Sequence, residues 1–488
     1  MRIMKNHPPK IYNTLLVIVL ILSSCISYSS SLKVTFFDVG QGNCSLVTCE
    51  PNPPLLVDCG SSSNAYRGAY FKENQVTKIA EALKSSSSSS FFLVVSHPDE
   101  DHYSWLPDVL IKANKNGLSI QNAWLGGTEI QYGKKLTNEL KKYLGSMYAS
   151  KVFFPTSSGA TTSELRILTS GDLSYTILPA LSCGADKTKE ANSASLVVKV
   201  LYFNKVILLP GDATRKTFDH IGALLPNKVL IMLASHHGAD PSSDTKAEAC
   251  NDDALVNATE PQVLVFSSGR RADYYHPRSN AVSSYAKVQK TFFNWHPLFC
   301  GISSSNKFED APVVRLADNY GVILTNRPIF STLTNGTIIC TVNNSDSQVK
   351  IDLENRLVYD SAINAALIFP LFEKATAFSH SEISELLLDS LGIDDTEASV
   401  ADLLAIFFKT VTAKCKNLKA LNLNDNNLSQ SATFDRLIAL LNALDVSSCK
   451  VEGGGIVLTK DLRAKITQAW NQRGLRLEPE APSDPKSL

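Results

Sequence analysis

His97, Asp99, Asp101 and His102 put two imidazoles and two carboxylates into six consecutive positions, directly after the apolar run Phe91-Phe92-Leu93-Val94-Val95. Imidazole nitrogen and carboxylate oxygen are common ligands of zinc and related divalent ions. A short unbroken apolar run reads as a strand buried on both faces. At the carboxyl end of such a strand a rigid backbone can hold several ligands on one centre. The plainer reading is a solvated loop in which Asp101 caps a helix beginning near Tyr103. That reading suits one acidic residue, whereas four ligand-type side chains behind a buried strand favour a metal.

The same arrangement recurs along the chain. An apolar strand Lys205–Leu209 runs into Pro210-Gly211-Asp212, and Lys228–Ala234 runs into Ser235-His236-His237-Gly238. A further strand, Gln262–Phe266, leads to Ser267-Ser268-Gly269 and then to Asp273-Tyr274-Tyr275-His276-Pro277. An isolated Gly-Asp is an ordinary turn and a lone histidine is ordinarily packed or on the surface. Recurrence at the ends of four strands gives these residues a common purpose. One of His236 and His237 suits a metal, and the sequence does not choose between them. Upstream, strand Leu32–Phe37 meets the turn Asp38-Val39-Gly40-Gln41-Gly42-Asn43. Strands Cys44–Cys49 and Leu55–Val57 then reach Asp58-Cys59-Gly60.

These motifs, in this order, resemble the metallo-β-lactamase fold, whose signature H-x-H-x-D-H is met here with Asp99 in place of the second histidine. The form His-Pro-Asp-x-Asp-His is similar to the extracytoplasmic hydrolase domain of the ComEC family of DNA-uptake proteins. So are the opening turn D-V-G-Q-G-D (with Asn43 for its last Asp), the following D-x-G, and the H-H-G and S-x-G…H-P blocks. Asn192-Ser193-Ala194-Ser195 resembles the N-x-x-S that this group carries where other members place a third histidine. Gly321–Leu324 and Phe330–Val342 are similar to its closing strands, so the resemblance runs from about Leu32 to Leu353.

The resemblance implies an α/β fold, a four-layer αβ/βα metallo-β-lactamase sandwich over residues 31–355. It implies two divalent ions, zinc or manganese. His97, Asp99 and Asp212 would hold one, and Asp101, His102, Asp212 and His236 or His237 the other. Asp58 would orient the ligand loop through hydrogen bonds, and Gln41, Asn43, Asn192, Ser195 and Arg270 would face the substrate. Asp101 and His276 would be catalytic, His276 as an acid or phosphate contact beside Arg270 and Arg271. Two ions about 4 Å apart can share a hydroxide that attacks phosphorus and can stabilise the leaving oxygen. The expected activity is a metal-dependent phosphodiesterase of nuclease-like kind, acting on a phosphodiester, including nucleic acid. One alternative is hydrolysis of another ester, thioester or amide bond on the same fold. Another is an interaction protein that binds a partner through its tail.

The 488 residues are too many for one ordinary core. With 47 basic and 47 acidic side chains, no global charge draws the chain to nucleic acid or an anionic membrane. A basic start (Arg2, Lys5, Lys10), a short apolar core Leu15–Leu22 and Ser23-Ser24-Cys25 read as a signal peptide over 1–25. The core is shorter than the roughly 20 residues that span a bilayer. Leu22-Ser23-Ser24-Cys25 resembles a bacterial lipobox, implying a lipid anchor on Cys25 and a periplasmic, cell-surface or secreted protein. Ten cysteines suit export, and Cys44 and Cys59, on neighbouring strands, are candidates to pair.

Residues Val76–Leu83 and Trp105–Ile111 have helical patterns, and Gly126, Gly127 and Tyr132 are candidate cleft residues. From 356 to 488 the chain becomes helical and rich in leucine. Leu418-x-x-Leu421-x-Leu423-x-x-Asn426-x-Leu428 fits the leucine-rich-repeat pattern, with a second copy from Leu441 to Val451. Such a short array would need to pack on a neighbour, and it offers a surface to a protein partner. The anchor is testable directly. In a bacterial host given radiolabelled palmitate, the wild type is expected to label and Cys25→Ala is not; an unlabelled, released wild type would leave ordinary secretion.

Overall fold

The computed structural model describes residues 31–62, 69–182, 191–239, 250–269, 274–289, 296–301, 313–315, 320–325, 327–344, 348–354, 357–358, 385–387, 420–422, 450–452 and the single positions 439 and 468. The leader over 1–25 and Arg270 and Arg271 lie outside these residues, as do the tail helices expected within 362–414, 434–441 and 459–471 except at positions 439 and 468, which are helical, and at Glu385–Leu387, which is a short strand where helix was expected. No helix among the described residues is long and apolar enough to cross a membrane.

The first half of the chain supplies β1 (Leu32–Phe36), β2 (Ser45–Cys49), β3 (Asn52–Val57), β4 (Ser90–Val95), β5 (Ser119–Leu125) and β6 (Val152–Phe153). Strands β1 to β3 form an antiparallel meander. From β3 to β6 the strands run parallel. The parallel steps need crossovers, and helices α1 (Ala69–Lys84) and α2 (Leu106–Lys115) make the first two. Pro107 in the first turn of α2 lacks only an N–H that no helical carbonyl would use.

The next stretch builds a second sheet from β7 (Leu165–Ser170), β8 (Leu173–Ile177), β9 (Val198–Tyr202), β10 (Lys205–Leu209), β11 (Ile231–Leu233) and β12 (Val263–Phe266). It too begins as an antiparallel meander and turns parallel from β10 onward. Helices α3 (Arg215–Ile221) and α4 (Asp253–Thr259) are its crossovers, and α5 (Ser279–Val288) follows. A small antiparallel sheet of β13 (His296–Gly301), β14 (Val313–Arg315) and β15 (Tyr320–Thr325) comes next.

The chain then returns to both large sheets. β16 (Ile329–Ser331) pairs parallel with β12, while β17 (Ile338–Val342) and β18 (Val349–Leu353) extend the first sheet beyond β1. A single-turn helix, Thr332–Asn335, separates β16 from β17 within the closing-strand stretch Phe330–Val342. Ser331 Oγ caps that turn by accepting from Leu333 N at 3.2 Å, and Gly336 closes it at φ +68°. This corner is where the chain leaves one sheet for the other.

Phe36, Leu55, Val57, Phe92 and Val94 of the first sheet share one buried cluster with Tyr175, Val198, Ile207, Leu209 and Val265 of the second. Alternation sends Phe91, Leu93 and Val95 to the opposite face of β4, and they are buried as well. Val76, Ile79 and Leu83 of α1 and Val109 and Leu110 of α2 are the buried helical residues on that side. On the second sheet, Leu208, Met232, Leu264 and Phe266 pack against Phe218, Leu255, Val256 and Tyr285 of α3, α4 and α5. Helices, sheet, sheet, helices is the four-layer αβ/βα sandwich expected from the motifs.

Four short parallel strands, Leu357–Val358, Glu385–Leu387, Ala420–Asn422 and Lys450–Glu452, form a separate ladder. Leu421 of the first repeat copy lies in it opposite Val451, the last fixed position of the second copy, rather than opposite Leu444. Cys44 and Cys59 are neighbouring buried thiols and remain unbridged.

Phe92 touches Trp124 and Tyr175 at the centre of the inter-sheet core, with ring centroids 6.1 and 6.4 Å apart. Phe92→Ala should lower unfolding free energy by about 3–5 kcal/mol in a urea titration. A loss within about 0.5 kcal/mol, typical of surface changes, would contradict this packing.

Candidate metal centre

Strands β3 and β4 run parallel, as do β10, β11 and β12, so their carboxyl ends gather the loops that follow them. Those loops carry Asp58, Ser96 and His97, Asp212, His236 and His237, and Ser267. The loops close tightly on Ser96 because two positions lack a side chain. A Cβ on Gly211 would fall 2.5 Å from Ser96 Cβ, and one on Gly126 would fall 2.0 Å from the Ser96 carbonyl oxygen.

Asp58 fixes the first ligands. Its Oδ1 accepts from Ser96 N at 2.6 Å, and its Oδ2 accepts from Ser96 Oγ at 3.0 Å and from His102 Nδ1 at 2.9 Å. With the Ser96 proton given to Asp58, Ser96 Oγ accepts from His97 Nδ1 at 3.0 Å. His237 Nδ1 donates to the Ser267 carbonyl at 2.8 Å. Each Nδ1 thus holds the proton and each Nε2 presents a lone pair. Such partners are the usual device for fixing the tautomer and direction of a metal-binding imidazole.

All of those lone pairs converge on Asp212. His102 Nε2 lies 3.0 Å from its Oδ1; His236 and His237 Nε2 each lie 3.6 Å from its Oδ2, and His97 Nε2 3.8 Å. His237 Nε2 is also 3.3 Å from Asp101 Oδ2, and His97 Nε2 is 3.3 Å from Asp99 Oδ2. The Nε2 atoms of His97, His102 and His237 and Oδ1 of Asp212 are buried without a hydrogen-bond partner. Buried acceptors facing one another are costly unless something positive lies between them. A divalent ion meets that need, and the donor set suits one: His97, His102 and Asp212 form one compact group, and Asp101, His102 and His237 another.

The electrostatics of the protein alone make the same demand. Burial would raise Asp212, yet His102, His237 and His236 hold it well below the carboxylate range. Asp101 is likewise lifted by burial but brought down by its bond to His237 and by the His102 and His237 charges. Burial opposes protonation of His102, and Asp212 and Asp58 outweigh it. For His237, Asp212 and Asp101 do the same. Protons thus gather between these groups wherever no other cation balances the carboxylates.

Adjacent side chains rarely converge, because a strand sends them to opposite faces. Here His236 (φ 48°, ψ 50°), His237 (φ 55°, ψ 13°) and Gly238 (φ 83°) form a left-handed run that points both imidazoles at one oxygen. Left-handed backbone costs a residue with a Cβ about 1–2 kcal/mol, and such strain concentrates at functional sites. The choice the sequence left open resolves toward His237, which is buried and held by Ser267. His236 is 30% exposed, with Nδ1 3.6 Å from Cys250 Sγ. Burial and the His237 and His97 imidazoles push its pKa down despite Asp212.

His276 is buried beside this group, its ring near-parallel to those of His237 (6.1 Å) and Tyr274 (5.5 Å). Burial, His236, His237 and Arg278 push its pKa well down. These surroundings favour the neutral imidazole, which keeps one N–H to offer. Gln41 ties this loop to the first sheet: its Nε2 donates to His276 Nδ1 at 3.4 Å, and its Oε1 accepts from Gly269 N at 3.2 Å. Gly301, at the end of β13, donates to the Pro277 carbonyl at 2.8 Å, a support that the sequence reading did not include.

Asn43 donates its backbone N–H to the Asp101 carbonyl at 3.0 Å, and its buried side-chain amide has no partner. Ser195, at the end of the short turn Asn192–Ala194, is buried with an unpaired Oγ and passes close to Gly211. Asn192 is only partly buried. Asp99 is half exposed at 49%. Tyr132 donates to the Gly126 carbonyl at 2.7 Å, behind the ligand loop. Arg270 lies outside the described residues. Ser96 and the Ser267 carbonyl escaped the sequence reading: a serine before a histidine is unremarked, and a carbonyl carries no residue signal.

No protein-family model and no curated protein matches the chain. Among solved structures it is similar to a new diphosphatase from the PhnP family, at 11% identity and TM-score 0.29, over 49% of this chain and 87% of that one. It is also similar to a long-form RNase Z from yeast, at 10% identity and TM-score 0.30, over 52% of this chain. This chain spans only 39% of the yeast enzyme's length. Likeness at these scores decides nothing, and the fold stands on its own layers and strand order.

The bonds of Asp58 give a measurable consequence. Asp58→Asn sets an N–H donor or a weaker acceptor against His102 Nδ1 and Ser96. Zinc affinity, read by competition with a chelating dye, should fall about 10–100-fold. Unchanged affinity would remove Asp58 from this role.

Proposed function

We propose that the chain is an exported, metal-dependent phosphodiesterase with a dinuclear site, allied to the ComEC-type hydrolases. The observation that carries the reading is the set of buried, unpartnered Nε2 atoms of His97, His102 and His237 around Asp212. His97, Asp99 and Asp212 would hold one ion, and Asp101, His102 and His237 the other, with Asp212 shared and His236 beside them. Two divalent ions, zinc or manganese, would supply Lewis acidity toward the phosphoryl oxygens and a nucleophile at neutral pH. Three carboxylates among the ligands give a site hard enough for manganese as well as zinc.

The protein's own share of the work is positioning. Asp58, Ser96 and the Ser267 carbonyl keep the imidazole lone pairs aimed inward. The low-dielectric surroundings strengthen each charge contact with a phosphate. The neutral His276, kept in place by Gln41, would donate its N–H toward the leaving oxygen. The order of the motifs supports a phosphodiester as the bond cleaved, including those of nucleic acid. The leader motif supports export, with a lipid on Cys25, to the periplasm or cell surface or into the medium. For the tail, the repeat pattern and the parallel ladder support a leucine-rich-repeat-like module for a protein partner.

The test uses the chain from Ile26 onward, stripped with a chelator and reloaded with zinc or manganese, on bis(p-nitrophenyl) phosphate and on a carboxylic ester. Metal-dependent cleavage of the phosphodiester is expected, and cleavage of the carboxylic ester alone would replace this reading. His276→Ala should keep its metal while losing at least about tenfold in rate, a floor beneath the usual cost of removing a transition-state hydrogen-bond donor. Lost metal would make His276 a ligand, and an unaltered rate would remove it from the chemistry.

A further inference from the structure

The left-handed run that aims His236 and His237 needs something to hold both of its ends, and one buried amide meets them. Asn251 Nδ2 donates to the Ser235 carbonyl at 2.9 Å and to the Ala239 carbonyl at 3.1 Å, the residues that flank His236-His237-Gly238. Its Oδ1 accepts from Tyr285 Oη at 3.0 Å, which fixes which end of the amide faces the run. Asn251 is fully buried and itself left-handed at φ 55°. Asparagine is the residue with a Cβ that tolerates this conformation best, and it alone of the short polar residues brings two N–H donors. Both requirements fall on one position.

The run has other ties, from His236 N to the Gly211 carbonyl at 3.0 Å, from Ala239 N to the His236 carbonyl at 2.8 Å, and from Arg278 N to the Gly238 carbonyl at 2.8 Å. Ser235 Oγ also donates to the Ala213 carbonyl. The first of these anchors the entry to the strand end bearing Asp212, and the second is local to the turn. Only the Asn251 amide joins the two ends among the described residues, and so sets the pitch between the imidazoles. Without it, the strained residues can relax toward ordinary backbone, where neighbouring side chains diverge.

We infer that Asn251, oriented by Tyr285, is a positioning residue for the metal centre: it sets the direction of the His236 and His237 imidazoles without touching metal or substrate. This rests on the metal centre proposed above. The probe is cobalt(II), titrated into the metal-free chain from Ile26 and followed by its visible absorption, with the melting temperature of the metal-free protein as a control. Asn251→Ala should weaken cobalt binding at least about tenfold, the lower bound for residues that orient ligands, and should change the absorption band.

Tyr285→Phe keeps the packing, should weaken binding less, and should add little to Asn251→Ala, since both act through one amide. If Asn251→Ala does not fold, Asn251→Asp decides. It retains the size and backbone tolerance but offers no N–H, and the same loss is expected. A lower melting temperature with unchanged cobalt affinity and spectrum would make Asn251 merely structural and overturn the inference. A wild type that binds no cobalt, zinc or manganese would overturn the metal centre itself.

Discussion

A buried carboxylate facing imidazole lone pairs governs this structure. Asp212 has four Nε2 atoms between 3.0 and 3.8 Å from its oxygens. Three of those imidazoles have their protons drawn outward by Asp58, Ser96 and the Ser267 carbonyl. Taking such groups out of water carries a penalty of several kcal/mol per ion unless they are compensated. Compensation comes from a cation held between them, or from protons that the neighbouring carboxylates draw onto His102 and His237. A fold that keeps this arrangement buried is organised around binding something positive.

The rest of the architecture serves that convergence. Two sheets, each half antiparallel and half parallel, bring the carboxyl ends of β3, β4, β10, β11 and β12 to one edge. The apolar side chains between the sheets lock their separation, and Gly126 and Gly211 let the loops close on Ser96. Backbone strain reaches the positions that converge here: Asp58, His236 and His237 all have positive φ. The packed core and the hydrogen bonds around them hold these residues in place. The small sheet bearing Gly301 then supports the loop of His276 from the other side.

Much of this was legible in the amino-acid order. Apolar runs ending in His, Asp or Gly-Asp mark strands whose carboxyl ends carry ligands, because burial on both faces demands an unbroken run and the turn that follows demands polar residues. That logic located β4, β10, β11 and β12, the imidazoles and carboxylates that converge at their ends, and the orienting part of Asp58. It overextended β11, since Lys228 takes a positive φ and the regular strand begins only at Ile231. It did not mark the corner where Ser331 and Gly336 redirect the chain between sheets.

Three matters belonged to the tertiary structure alone. His236 and His237 are identical in type and adjacent, so only burial and the Ser267 carbonyl separate them. The state of His276 depends on burial and on His236, His237 and Arg278 around it, and three-dimensional neighbours set a pKa, not a motif. The brace of Asn251 on Ser235 and Ala239 spans 16 and 12 positions of chain. Residue type and spacing thus determined which groups could meet, because strand periodicity is local. Which lone pair faces which oxygen was decided by packing, because hydrogen-bond direction depends on partners far apart in sequence.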